Sequence, residues 1–141
     1  MVSKDNGTLN ARLADFGLAK NFADAGLSQI SSEHEIKGTL SYIAPKQIVN
    51  CRFTEPTADI FSVGATMYTL ISGKTIDNLS DHETPIATIL NDGPAPLRER
   101  APDVSRSVSK IVDAALATEP GNRFQSAEQM RLAIEKLLRI M

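Results

Sequence analysis

A mainly α-helical domain with one small β-hairpin is the fold class this sequence predicts, and three observations predict it. The first is residues 57–73, TADIFSVGATMYTLISG. Ile60, Phe61, Val63, Met67, Tyr68, Leu70 and Ile71 are separated there by small Ala58, Gly64 and Ala65, so the apolar residues are not confined to one stripe. A helix apolar nearly all round has to be buried nearly all round, and this stretch is the expected central post. The second observation is a pair of amphipathic patterns near the C-terminus. Val108, Ile111, Val112, Ala115 and Leu116 fall at i, i+3, i+4, i+7 and i+8, and Met130, Ala133, Ile134, Leu137, Leu138 and Met141 do much the same. The third is Asn6-Gly7 between two short extended stretches, a hairpin signal because both residues tolerate positive φ.

Composition sets the limits. The 141 residues are the size of one domain. At 42% hydrophobic, the chain is ordinary for a globular protein. A net charge of −2 with scattered basic residues points to neither nucleic acid nor an anionic membrane as partner. No apolar run reaches the roughly 18 residues of a membrane span, and MVSKDNGTLN has no signal-peptide core. The single cysteine, Cys51, excludes an internal disulfide and fits a reducing compartment, so a cytoplasmic location is expected. There is no Cys or His cluster for structural zinc; His34 and His82 are isolated and read as surface residues.

In chain order, the hairpin occupies residues 1–14, with Asp5-Asn6-Gly7 at its turn, and Asp15-Phe16-Gly17 follows directly. Residues 21–41 are polar and hydroxyl-rich without a sustained period, which reads as a long loop; such loops are functional or disordered. Pro45 ends it and opens a short helical turn over 45–49. Gly73 suits the C-cap of the central helix. A polar loop then leads to a short helix over about 85–91, broken by Gly93-Pro94-Ala95-Pro96. Ser105 is the expected cap of the first amphipathic helix, and Ser126 with Gln129 a capping box for the last. Between those two helices, residues 119–124 (EPGNRF) form a tight polar turn closed by an aromatic.

Four short motifs stand in a fixed order: Asp15-Phe16-Gly17 after a strand, Gly38-Thr39-Leu40-Ser41-Tyr42-Ile43-Ala44-Pro45, Asp59-Ile60-Phe61-Ser62-Val63-Gly64 opening the central helix, and Arg123-Phe124 before the last helix. Taken alone, Asp15-Phe16-Gly17 reads equally well as a turn with a buried Phe. Together the four resemble the C-terminal lobe of a eukaryotic-like protein kinase, over essentially residues 1–141. The Gly-Thr-x-x-Tyr-x-Ala-Pro pattern is similar to the serine/threonine branch. Residues 14–20 (ADFGLAK) with 123–127 (RFQSA) resemble bacterial members most.

The resemblance implies roles. Asp15 would ligate the Mg²⁺ that bridges the ATP phosphates, a hard cation wanting carboxylate oxygen. Phe16 would pack between the lobes and Gly17 would let the backbone turn. Residues 15–46 would be the activation segment, with Ser28, Ser31, Ser32, Thr39 and Ser41 as candidate phosphosites; as residue types these hydroxyls are more often simply solvated. Thr39 to Tyr42 would shape the peptide platform. Asp59 would accept hydrogen bonds from the catalytic-loop backbone, and the helix it opens would be the lobe's hydrophobic post.

The sequence departs from that family pattern in two ways. It contains no Gly-rich phosphate loop, no Val-Ala-Ile-Lys lysine and no His-Arg-Asp catalytic loop. Phosphoryl transfer rests on positioning and charge stabilisation, so this chain alone is expected to be inactive and to bind no Mg²⁺ or ATP. The family's Ala-Pro-Glu reads Ala44-Pro45-Lys46 here, and the glutamate's partner corresponds to Arg123. Two cations would then face each other. Lys46 is expected to turn to solvent, leaving Arg123 to find another acceptor, Glu55 or Glu119, and Lys46→Glu is expected to raise thermal stability.

Three functional readings follow. The chain is part of a serine/threonine kinase whose protein substrate and activity belong to the intact enzyme. Alternatively it is a non-catalytic kinase-like binding or regulatory module, or half of a kinase completed by a partner chain. Because the remaining helices can sheathe only part of the post, self-association or a partner chain covering it is expected.

Overall fold

The computed structural model describes residues 2–5, 7–12, 41–49, 55–76 and 93–140. Asp15, Phe16 and Gly17, the phosphosite candidates Ser28, Ser31, Ser32 and Thr39, Cys51, His34, His82 and the helix expected over 85–91 lie outside the described residues.

At the N-terminus β1 (Val2–Asp5) pairs antiparallel with β2 (Thr8–Ala11), in a register that sets Asp5 opposite Thr8. The two-residue connection has Gly7 at φ +84°, a left-handed conformation that costs a residue without Cβ little.

Helices dominate the other described residues. α1 is the short Pro45–Val49. α2 spans Thr57–Ser72 and stops at Gly73, whose φ of +69° lets its N–H reach back to the Thr69 carbonyl. α3 (Leu97–Arg100) is a single turn held at its start by Asp113, whose Oδ1 accepts from the Leu97 N–H at 2.9 Å. α4 covers Arg106–Ala115, and α5 covers Ala127–Leu138. A 3₁₀ turn, Pro120–Asn122, lies between those two.

The core is built on α2. Ala58, Phe61, Ala65 and Tyr68 pack with Ala44, Ile76, Leu97, Val112 and Leu116. On another side Ile60 meets Ala115 and Met130. α2 and α4 come so close that a Cβ placed on Gly64 would lie 2.8 Å from the Ala115 Cβ. Burial of the post is one-sided, however. Val63 is 43% exposed, Ile71 38% and Leu70 80%, so the sequence's demand for cover all round is not met by the described residues. No helix among the described residues is long and apolar enough to cross a membrane.

Local signals translate unevenly. Ser105 caps α4 by accepting from the Val108 N–H. Ser126 caps α5 by accepting from Gln129 N–H, but the box is not reciprocal: Gln129 Oε1 takes the N–H of Gln125 instead. α3 has no counterpart in the sequence reading. Four residues show no period, and only the Pro96-Leu97 step marks its start.

Candidate functional site

The described residues converge where the segment 41–49 meets α2 and the turn before α5. Ser41 is 2% exposed and Ala44 1%. Two side chains of α2 hold the segment. Ser62 Oγ donates to the Tyr42 carbonyl at 2.7 Å, and the Tyr42 hydroxyl donates to Thr69 Oγ1 at 3.3 Å. Within the segment, Gln47 Oε1 accepts from the Ala44 N–H. The apolar ring of Tyr42 adds to the main core cluster. A hydroxyl as buried as that of Ser41 is out of reach of a transferring enzyme while the segment sits in this position.

Arg123 is the electrostatic centre of the site. It is only 5% exposed. Its Nε donates to the Ala117 carbonyl at 2.7 Å, Nη2 to the Thr118 carbonyl at 2.9 Å and Nη1 to the Thr57 carbonyl at 3.2 Å. The guanidinium carbon stands 5.0 Å from the centre of the Phe61 ring, a cation–π distance. Burial pushes the guanidinium pKa down, while the charges of Glu55 and then Glu119 pull it up. One arginine thereby ties the start of α2 to the 117–123 turn.

The expected carboxylate contact to Arg123 is not made: backbone carbonyls take that role. Ala117 and Thr118 lie just past the end of α4, and a planar five-donor fork suits several carbonyls at once. Lys46 does turn outward, and there it captures Glu119, Nζ to Oε2 at 2.7 Å, with both side chains more than half exposed. Glu55 Oε2 accepts from Thr57 Oγ1 at 3.3 Å. Lys46 and Arg123 are thus brought to one place but engage different partners.

Asp59 sits exposed in the first turn of α2, and its carboxylate meets no partner among the described residues. Among them no group of three or more His, Cys, Asp or Glu side chains is arranged to hold a metal ion.

A helical core built round one post, with an Ala-Pro segment docked on that post and a buried arginine locking its first turn, defines a kinase-like fold. Comparison with known proteins agrees. The protein kinase domain model matches residues 1–133. The serine/threonine-protein kinase PknB of Mycolicibacterium smegmatis is 30% identical over 132 residues, 93% of this chain. PknB of Mycobacterium tuberculosis is 28% identical over 134 residues. PknJ of Mycobacterium bovis is 29% identical over 117 residues, 82% of this chain and 19% of that kinase. Among solved structures, PpkA-294 in its apo form is similar, with a TM-score of 0.52 at 27% identity, over 67% of this chain and 31% of that one. The chain belongs to the protein kinase domain family, alongside bacterial serine/threonine kinases. It spans 20% of the length of the PknB relatives.

Proposed function

We propose that the chain is the C-terminal-lobe part of a serine/threonine protein kinase, and that it transfers no phosphate by itself. The observation that carries the reading is the seating of residues 41–49 on α2 through Ser62, Tyr42 and Thr69. This order supports a peptide-docking platform built against a central post. In the intact enzyme Asp15 would hold Mg²⁺-ATP, which supplies the transferable phosphoryl group. Phe16 and Gly17 would set the pose of that Asp, and Asp59 would anchor the catalytic-loop backbone. Ser28, Ser31, Ser32 and Thr39 are the candidate phosphosites of the activation segment.

The test is reconstitution. The 141-residue chain with Mg-ATP and a serine/threonine peptide should incorporate no phosphate. Adding a polypeptide that carries the Gly-rich loop, strand lysine and catalytic loop of a bacterial kinase should restore incorporation, and Asp15→Ala should abolish it again. Phosphate transfer by the chain alone would refute the reading.

The exposed Val63, Leu70 and Ile71 favour a second reading, in which the post is covered by another chain. Sedimentation should then show association that weakens in Leu70→Asp, and a monodisperse monomer at high concentration would exclude it.

A further inference from the structure

Beside Arg123 lies a cavity of about 40 Å³, bordered by Lys46, Gln47, Glu55 and Thr57 as well as by the guanidinium itself. A single water needs about 10–15 Å³ of such space, so a group the size of a carboxylate fits there. The electrostatics of the wall are incomplete. Arg123 carries a full charge at 5% exposure, and among the described residues its hydrogen bonds all go to neutral carbonyls. Three of the five guanidinium N–H groups are used in this way, which leaves two without an acceptor among the described residues. A buried charge without a counter-charge is costly.

Two carboxylates are near enough to act. Glu119 is occupied on the outer side by Lys46. Glu55 borders the cavity and among the described residues is held by the long 3.3 Å bond from Thr57 Oγ1 alone. The carbonyl of that same Thr57 is the one Arg123 Nη1 reaches, so carboxylate and guanidinium flank one residue. We propose that this cavity is a carboxylate-binding site with Arg123 at its base and Glu55 as its resident ligand. By side-chain rotation alone, Glu55 exchanges the Thr57 hydroxyl for the guanidinium N–H groups. The stronger pull of Glu55 than of Glu119 on the Arg123 charge agrees with this assignment. The four charges then sort into an inner pair, Glu55 with Arg123, and an outer pair, Lys46 with Glu119. The inner pair locks the start of α2 to the 117–123 turn. The outer pair clips α1 to that turn at the surface, and salt loosens it.

The experiment uses the full chain and the variants Glu55→Gln, Glu55→Ala and Glu119→Gln, followed by thermal unfolding. Glu55→Gln should lower Tm by several degrees, and the loss should persist at about 1 M NaCl, where the Debye length is about 3 Å. The smaller loss in Glu119→Gln should vanish at that salt. Excess sodium formate should raise the Tm of Glu55→Ala towards that of the parent, and chloride at the same ionic strength should not. An unchanged Tm in Glu55→Gln would overturn the proposal. So would equal effects of formate on parent and variant, or rescue by chloride as effective as by formate.

Discussion

Gly64→Ala sets two effects of opposite sign against each other, and the geometry of the α2–α4 contact decides between them. In a helix interior alanine is favoured over glycine by about 1 kcal/mol, so propensity alone predicts a gain. The added Cβ would lie 2.8 Å from Ala115 Cβ, 3.3 Å from Leu116 Cγ and 3.4 Å from the Ala115 carbonyl carbon. Ala115 Cβ is fixed to the α4 backbone and cannot rotate aside, so the helices must part. Overpacking of this kind costs about 1–3 kcal/mol. The expected net result is a loss of about 1 kcal/mol, or roughly 2–8 °C in Tm for a domain of this size. Thermal and urea unfolding of the full chain measure it. Gly121→Ala is the control, since nothing stands within 4 Å of its would-be Cβ, and it should not destabilise. Ala115→Gly should be destabilising alone yet rescue Gly64→Ala, giving a favourable coupling of about 1–2 kcal/mol. A Tm at or above the parent's in Gly64→Ala, or strict additivity in the double variant, would refute a close contact between these helices.

Arg123→Met deprives three carbonyls of their donor and removes the contact over Phe61. With about 1–3 kcal/mol at stake for each stranded buried group, urea unfolding should show a loss of at least about 3 kcal/mol. Tyr68→Phe should change stability by less than about 1 kcal/mol. Its hydroxyl is fully buried and finds no hydrogen-bond partner among the described residues. Glu128 has its carboxyl held below the ordinary range, first by the hydrogen bond from Arg131. Its support for the first turn of α5 is therefore full above the ordinary carboxylate pKa and fades as pH falls through the lowered value. Amide NMR should show the first turn fraying on acidification, and no such pH-linked fraying in Arg131→Gln.

What the sequence disclosed about this fold depended on how local the cause was. Helices α2, α4 and α5 were legible because their periodicity and caps are written within one stretch: Gly73 after α2, Ser105 before α4, Ser126 before α5. α3 was not, because its start is stabilised by Asp113, sixteen positions away. Gly64 shows the same limit. In the sequence it is one of several small residues on the post, and only the approach of Ala115 makes it a contact glycine. At the candidate site, the change from glutamate to Lys46 was visible, and so was the need for Lys46 to turn away from Arg123. What replaced the pairing was not visible, since backbone carbonyls carry no residue signature. Nor could the spacing show that Glu119 serves Lys46 while Glu55 stays beside the cavity.

That division of charges changes what Lys46→Glu should do. If position 46 merely lacked the counter-ion of Arg123, restoring a glutamate would stabilise the chain outright. In the structure Lys46 already holds Glu119 at 2.7 Å on the surface, a contribution of at most about 1 kcal/mol. Its replacement loses that pair and sets two carboxylates near each other. Against this, position 46 borders the cavity, and a charge-assisted bond to the buried guanidinium is worth about 1.5–3 kcal/mol where none exists. With Glu55 as the resident ligand much of that gain is already taken. Lys46→Glu alone should therefore leave Tm close to the parent's. In the Glu55→Gln background the cavity is open to the new carboxylate, and there Lys46→Glu should recover most of the lost Tm. A clear rise in the single variant would mean that Glu55 does not serve Arg123. Failure to recover Tm in the double variant would mean that a carboxylate at position 46 cannot reach it.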